Sequence, residues 1–130
     1  MTGQVQFTYQ RLGGCLIVRL AGEIDVPGAR VLRDTLVAKV GDGDARLVVD
    51  LSRVVAFDGA GLPALLAAQD EAVASGGSLR LVGVGPSVRK VLHTMDEAGA
   101  LVVDTEMSDA LEATMEAAGS PRDRRLDARQ

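Results

Sequence analysis

Aromatic side chains are almost absent: the 130 residues hold two phenylalanines, one tyrosine and no tryptophan. Phe7, Tyr9 and Phe57 are too few for a platform on which nucleic-acid bases could stack. Cysteine occurs once, as Cys15, so no intrachain disulfide can form and a reducing compartment is expected. Histidine also occurs once, as His93. Together with Cys15 it falls short of the four ligands of a structural zinc site, so no metal is expected. A basic surface is missing too, because the formal net charge is −4. The positive excess lies in the last twelve residues, where Arg122, Arg124, Arg125 and Arg129 face only Asp123 and Asp127. An acidic body does not suit a phosphate-backbone partner, and nucleic-acid binding is not expected. No apolar run approaches the roughly 18 residues of a membrane span. The N-terminus has no basic region followed by an apolar block, so no secretory leader is expected and the chain reads as cytoplasmic.

A chain of this length forms one domain, able to bury about two-thirds of its unfolded surface. The expected boundaries are 1–118 for the domain and 119–130 for an Arg-rich, disordered tail. Within the domain, the informative stretch runs from Leu47 to Ala74. Leu47-Val48-Val49 reads as a strand buried on both faces, followed by a short connector and a second apolar pulse over Val54–Phe57. After Asp58-Gly59-Ala60-Gly61 the apolar spacing becomes helical, through Leu62, Leu65, Leu66 and Val73. Pro63 belongs in a helix's first turn, which starts the helix near Ala60 and ends it near Ser75.

The remaining elements follow from period and punctuation. Gln4–Gln10 and Cys15–Ala21 read as two antiparallel strands joined at Gly13-Gly14. Pro27 opens a helix whose Leu32, Leu36 and Val40 recur at i, i+4 and i+8. Ser78–Val84 is a strand and Gly85-Pro86 opens a third helix. Leu101–Val103 is a short strand, and Ser108–Ala118 a final helix carrying Leu111 and Met115. The order is ββαβαβαβα, which implies an α/β domain with a mixed sheet, parallel after the opening hairpin.

Catalytic machinery is not apparent. His93 reads as an exposed helix residue. Gly83-Val84-Gly85 is half a dinucleotide fingerprint, explained by close strand-to-helix packing, and no Walker lysine follows a glycine loop. Asp70-Glu71 and Asp96-Glu97 read as solvated helix faces. No nucleophile, base and orienting group are assembled, so an enzyme is not expected and no cofactor is implied. Cys15 heads an apolar strand and reads as a buried thiol.

Several of these stretches carry a family resemblance. Gly22-Glu23-Ile24-Asp25 resembles the GELD motif of STAS domains, the fold of bacterial anti-sigma factor antagonists. Leu47–Ser52 resembles the family's central strand, and Ser87–Leu92 is similar to its third helix. Asp58-Gly59-Ala60-Gly61-Leu62 lies where those proteins carry Asp-Ser-Ser-Gly-Leu. The resemblance spans roughly residues 4–118. It implies a binding protein that docks on an anti-sigma factor of the serine-kinase type, which ends the interaction by phosphorylating the loop's second serine. It also implies that Asp25, Asp58, Gly59, Ala60 and Gly61 contact that partner. Here Ala60 stands at the phospho-acceptor position, and no Ser or Thr occurs from Val54 through Ala74. The usual switch cannot operate at that loop, so transcription would be regulated without it. The alternatives within the same resemblance are a STAS module of a stress-signalling scaffold or transporter-linked complex, and a nucleotide- or lipid-binding STAS domain.

Overall fold

The computed structural model describes residues 5–96 and 99–118; the tail expected at 119–130 and the acidic Glu97 lie outside them. The element order is β1 (Val5–Leu12), β2 (Cys15–Ile24), α1 (Val26–Gly41), β3 (Arg46–Phe57) and α2 (Gly61–Ala74). Then follow β4 (Ser78–Val82), α3 (Pro86–Met95), β5 (Val102–Val103) and α4 (Met107–Ala118). This is the ββαβαβαβα order expected from the sequence, and the strands form one five-stranded sheet in the order β1-β2-β3-β4-β5. β1 and β2 pair antiparallel, and every later pairing is parallel.

Strand alternation assigns the two faces of the sheet. Leu16, Val18 and Leu20 of β2, Leu47, Val49 and Leu51 of β3, and Leu79 and Leu81 of β4 share one face. Against them pack Leu32, Leu36 and Val40 of α1, Leu62, Leu65 and Ala68 of α2, and Val88 of α3. The other face presents Ile17, Val48 and Val82, and these are covered by Ala110 of α4 with Met107 and Leu111 alongside. β3 is therefore apolar on both sides, as its continuous Leu47-Val48-Val49 run requires. The full burial of roughly twenty aliphatic side chains, at about 1.5–3 kcal/mol each before the entropy of ordering is subtracted, dominates the favourable side of folding.

Several elements differ from the sequence expectation, β1 among them, which runs on to Leu12. The expected connector after Leu51 is part of β3, which runs unbroken for 12 residues to Phe57. Its extra residues are absorbed where the pairing with β2 shifts register, between Arg19↔Asp50 and Ala21↔Arg53 and again between Gly22↔Val54 and Glu23↔Ala56. β2 lengthens to match and reaches Ile24 rather than stopping at Ala21. β4 ends at Val82, two residues early, because Gly83 turns the chain at φ +68°. A side chain there would strike Asp50 and Ser52 of β3, so this glycine serves a contact between neighbouring strands and not the strand-to-helix packing expected for Gly83-Val84-Gly85.

Asp96 is not merely a solvated helix residue. Its two carboxylate oxygens accept hydrogen bonds from the Ala100 and Leu101 amides, at 3.0 and 3.2 Å, and so fasten the return from α3 to β5. Asp70, Glu71 and His93 are exposed on their helices as expected. Cys15 is buried, and desolvation pushes its thiol pKa up, against a smaller opposing effect of Arg46. No described helix is long and apolar enough to cross a membrane.

Candidate functional site

The two longest neighbouring strands, β2 and β3, end side by side, and each is followed at once by a helix. Asp25 follows β2 as the N-cap of α1, where its Oδ1 accepts the Gly28 amide at 2.8 Å. Pro27 occupies the first turn, where its missing N–H leaves no bond unmade. Asp58 follows β3, and its Oδ1 accepts the Ala60 amide at 2.8 Å. The Gly61 and Leu62 amides continue the turn by donating to the carbonyls of Asp58 and Gly59. Each carboxylate thus organises the start of its own helix.

One backbone bond joins the two loops. The Asp58 amide donates to the Ile24 carbonyl at 2.8 Å, continuing the parallel ladder past the ends of both strands. It holds Asp25 and Asp58 on one rim. Only Oδ1 of each is engaged among the described residues, and Asp58 is exposed while Asp25 is half-buried.

The glycines of the loop have distinct roles. Gly61 is buried over the ring of Phe57, and a β-carbon there would overlap that ring. Gly59 faces Met95 of α3, whose Sδ would lie 2.9 Å from an added β-carbon. Ala60 heads α2 without any side-chain cap and is half-buried.

The loop is a ridge between two open grooves. On one side a groove of about 440 Å³ runs between α1 and α2, with Val26, Arg30, Arg33, Ala60 and Ala64 among its walls. On the other, a groove of about 570 Å³ lies between α3 and the end of β3, bounded by Val55, Phe57, Asp58, Lys90 and Met95. Val26, Val55 and Met95 are 62%, 71% and 52% exposed, which is unusual for such side chains beside one loop. These apolar and basic residues were not singled out from the sequence. Val55 and Met95 sit in apolar patterns that read as core, and only the ends of β3 and α3 leave them uncovered. Arg30 and Lys90 had no sequence neighbour marking them as part of the acidic loops. The rim is therefore mixed: the carboxylates of Asp25, Asp58 and Asp34, the last paired with Arg33 at 3.0 Å, stand beside Arg30, Lys90 and exposed aliphatics. Such a surface suits docking of another protein.

An α/β domain with this strand order and paired loops at one end of its parallel strands is a STAS domain. The family model described as "Mlab, STAS domain" matches residues 7–104, and the chain belongs to that family. BtrV of Bordetella bronchiseptica, a candidate anti-sigma factor antagonist, is 32% identical over 89 residues, covering 68% of this chain and 77% of that protein. The crystal structure of an anti-sigma factor antagonist from Mycobacterium paratuberculosis superposes with a TM-score of 0.73 at 27% identity, over 86% of this chain and 95% of that one. The Bacillus cell-fate determinant SpoIIAA in its phosphorylated form shares the fold, with a TM-score of 0.61 at 22% identity over 83% of this chain and 98% of its own.

Proposed function

We propose that this chain is an anti-sigma factor antagonist that docks on a serine-kinase anti-sigma factor through the loops carrying Asp25 and Asp58. The observation that carries the reading is the Asp58 amide bond to Ile24, which fixes both carboxylates on one rim between two open, partly apolar grooves. A pre-organised rim loses little entropy on docking, and this favours binding over a floppy acidic loop. Likeness to anti-sigma factor antagonists from two other bacteria supports the choice of partner. The chain acts by binding, in the cytoplasm, with no reaction of its own. Gly59, Ala60 and Gly61 bring backbone close to the partner. With Ala60 where a hydroxyl would be needed, the partner's kinase activity leaves this loop unmodified, so docking is not reversed by a phosphate's roughly −1.5 to −2 charges.

Calorimetry against the anti-sigma factor of the same host tests the docking surface. Asp58→Lys should weaken binding by about tenfold or more, since reversing a charge inside an interface costs over a kcal/mol. Asp109→Lys reverses an exposed charge in the first turn of α4, on the other face of the sheet and outside both loops, and should leave affinity within about twofold. Equal losses at both positions would show that general acidity, not this loop, drives association.

A further inference from the structure

β1 is an edge strand with unusual properties. Its eight residues, VQFTYQRL, pair with β2 on one side, and no described residue pairs with the other. Edge strands of this length normally carry a proline, a bulge or inward charges that prevent pairing with another chain. β1 has no proline or glycine, its register with β2 is unbroken from Val5 to Leu12, and its single charge is Arg11. That charge is already turned to Asp44, at 2.7 Å.

The hairpin turn fixes which backbone groups face outward. Gly13 and Gly14 both have positive φ, 58° and 83°, as in a type I′ turn between Leu12 and Cys15. Leu12 and Cys15 are then a hydrogen-bonded pair, and the alternation of an antiparallel ladder follows from it. Gln6, Thr8, Gln10 and Leu12 direct their N–H and C=O groups at β2. Val5, Phe7, Tyr9 and Arg11 direct theirs outward.

The sequence of the strand reads nearly the same in both directions about Thr8: Gln6-Phe7-Thr8-Tyr9-Gln10. An antiparallel copy related by a two-fold axis through Thr8 therefore sets like against like. Phe7 lies opposite Tyr9 twice, on the α1 face of the sheet, and their outward backbone groups form the hydrogen-bonded pairs. Gln6 lies opposite Gln10 on the other face, and Thr8 opposite Thr8. Val5 meets Arg11, so no like charges face each other. Aromatic, amide and threonine pairs of this kind are the favourable cross-strand combinations. Tyr9 is 43% exposed in the single chain and is backed by the Lys39 ammonium, 4.3 Å from its ring centre, so it is held in place for such a pairing.

We propose that β1 is a self-association edge, at which two copies of this chain pair antiparallel about Thr8 to form a continuous ten-stranded sheet. The interface is isologous and closes at two copies, because pairing consumes the one long edge that the described residues leave unpaired. A single strand edge is a small interface, so the dimer is reversible, with a dissociation constant in the micromolar range. It is independent of the partner-docking rim and stands or falls separately from that reading.

Sedimentation velocity of the full chain over a concentration series tests the proposal. The wild type should pass from monomer to dimer with rising concentration. Thr8→Glu suits the single chain, because Thr8 pairs with Arg19 on β2, yet it puts two carboxylates face to face across the axis. It should keep its thermal midpoint and lose dimer affinity by about tenfold or more. Thr8→Cys adds a second reading: Cys15 is buried, so oxidation should link two copies through position 8. Gln10→Cys, whose partner in the dimer is Gln6, should link far more slowly. Three results would each overturn the proposal: a wild-type chain monomeric up to about 0.5 mM, equal association by Thr8→Glu, or equal linking at positions 8 and 10.

Discussion

Gly59 and Gly61 stand two residues apart in one loop and meet opposite surroundings. Neither has a positive φ, so what distinguishes them is the space each faces. An added methyl at Gly61 meets the ring of buried Phe57, which has no room to retreat, and Gly61→Ala should destabilise the fold by about 1–3 kcal/mol. An added methyl at Gly59 meets only the sulfur and terminal methyl of Met95, the exposed end of a flexible side chain, and Gly59→Ala should stay within about 0.5 kcal/mol of wild type. Denaturant melts of the two variants check the contrast, and similar midpoints would contradict it. Ala60, between them, bears on function. Incubated with its anti-sigma partner and ATP, the wild type should gain no phosphate at this loop, whereas Ala60→Ser should gain one by mass spectrometry. Ala60→Glu should weaken docking several-fold but not abolish it, because one carboxylate carries less charge than a phosphate and lacks its three acceptor oxygens. Docking indifferent to glutamate at position 60 would remove the loop from the interface.

At the scale of elements, β3 organises the molecule. It lies between β2 and β4, and Leu47, Val48 and Val49 are fully buried. Its amides between Leu47 and Leu51 open only with global unfolding and should exchange slowest of all. Val102–Val103, a two-residue edge strand with both side chains exposed, should exchange orders of magnitude faster even though the Arg80–Asp104 pair, bidentate at 2.6 and 3.0 Å, ties its end to β4. A hydrogen-exchange map showing comparable rates in these two strands would contradict the architecture. α3 lies between these extremes: Val88 is buried in its first turn, and by Met95 the helix has risen clear of the core. That divergence opens the groove beside Asp58. A helix lying flat on the sheet to its last residue would close it.

At the scale of the whole molecule, the two faces of the sheet are covered unequally. Three helices cover one face, whereas α4 alone covers part of the other, around Ile17, Val48 and Val82. Thr114 is buried in α4, and its hydroxyl donates to the Ala110 carbonyl at 2.6 Å, so this buried hydroxyl has a partner. Arg19 and Asp50, 3.6 Å apart, lie on the same face beyond the helix and remain partly solvated. The parallel strands all end at one side, so their following loops converge there, and the docking rim arises from topology as much as from any one motif.

The sequence by itself determined the element order, the central strand, the helices opened by Pro27, Pro63 and Pro86, and the acidic residues Asp25 and Asp58 that precede the first two. These are readable because periodicity and turn chemistry are local: a strand's alternation, a helix's 3.6-residue repeat and a proline's fixed φ need no distant partner. The glycine pair at residues 13 and 14 likewise announced the hairpin, and the Ala60 departure is visible from residue types alone. What only tertiary structure decided is long-range. Ser52 and Arg53 look like a connector until β2 supplies the pairing that keeps them in the strand with shifted register. Val55 and Met95 look like core until the ends of β3 and α3 leave them uncovered beside the loop. In each case the deciding partner is distant in sequence or comes from a separate element, and no local rule carries that information.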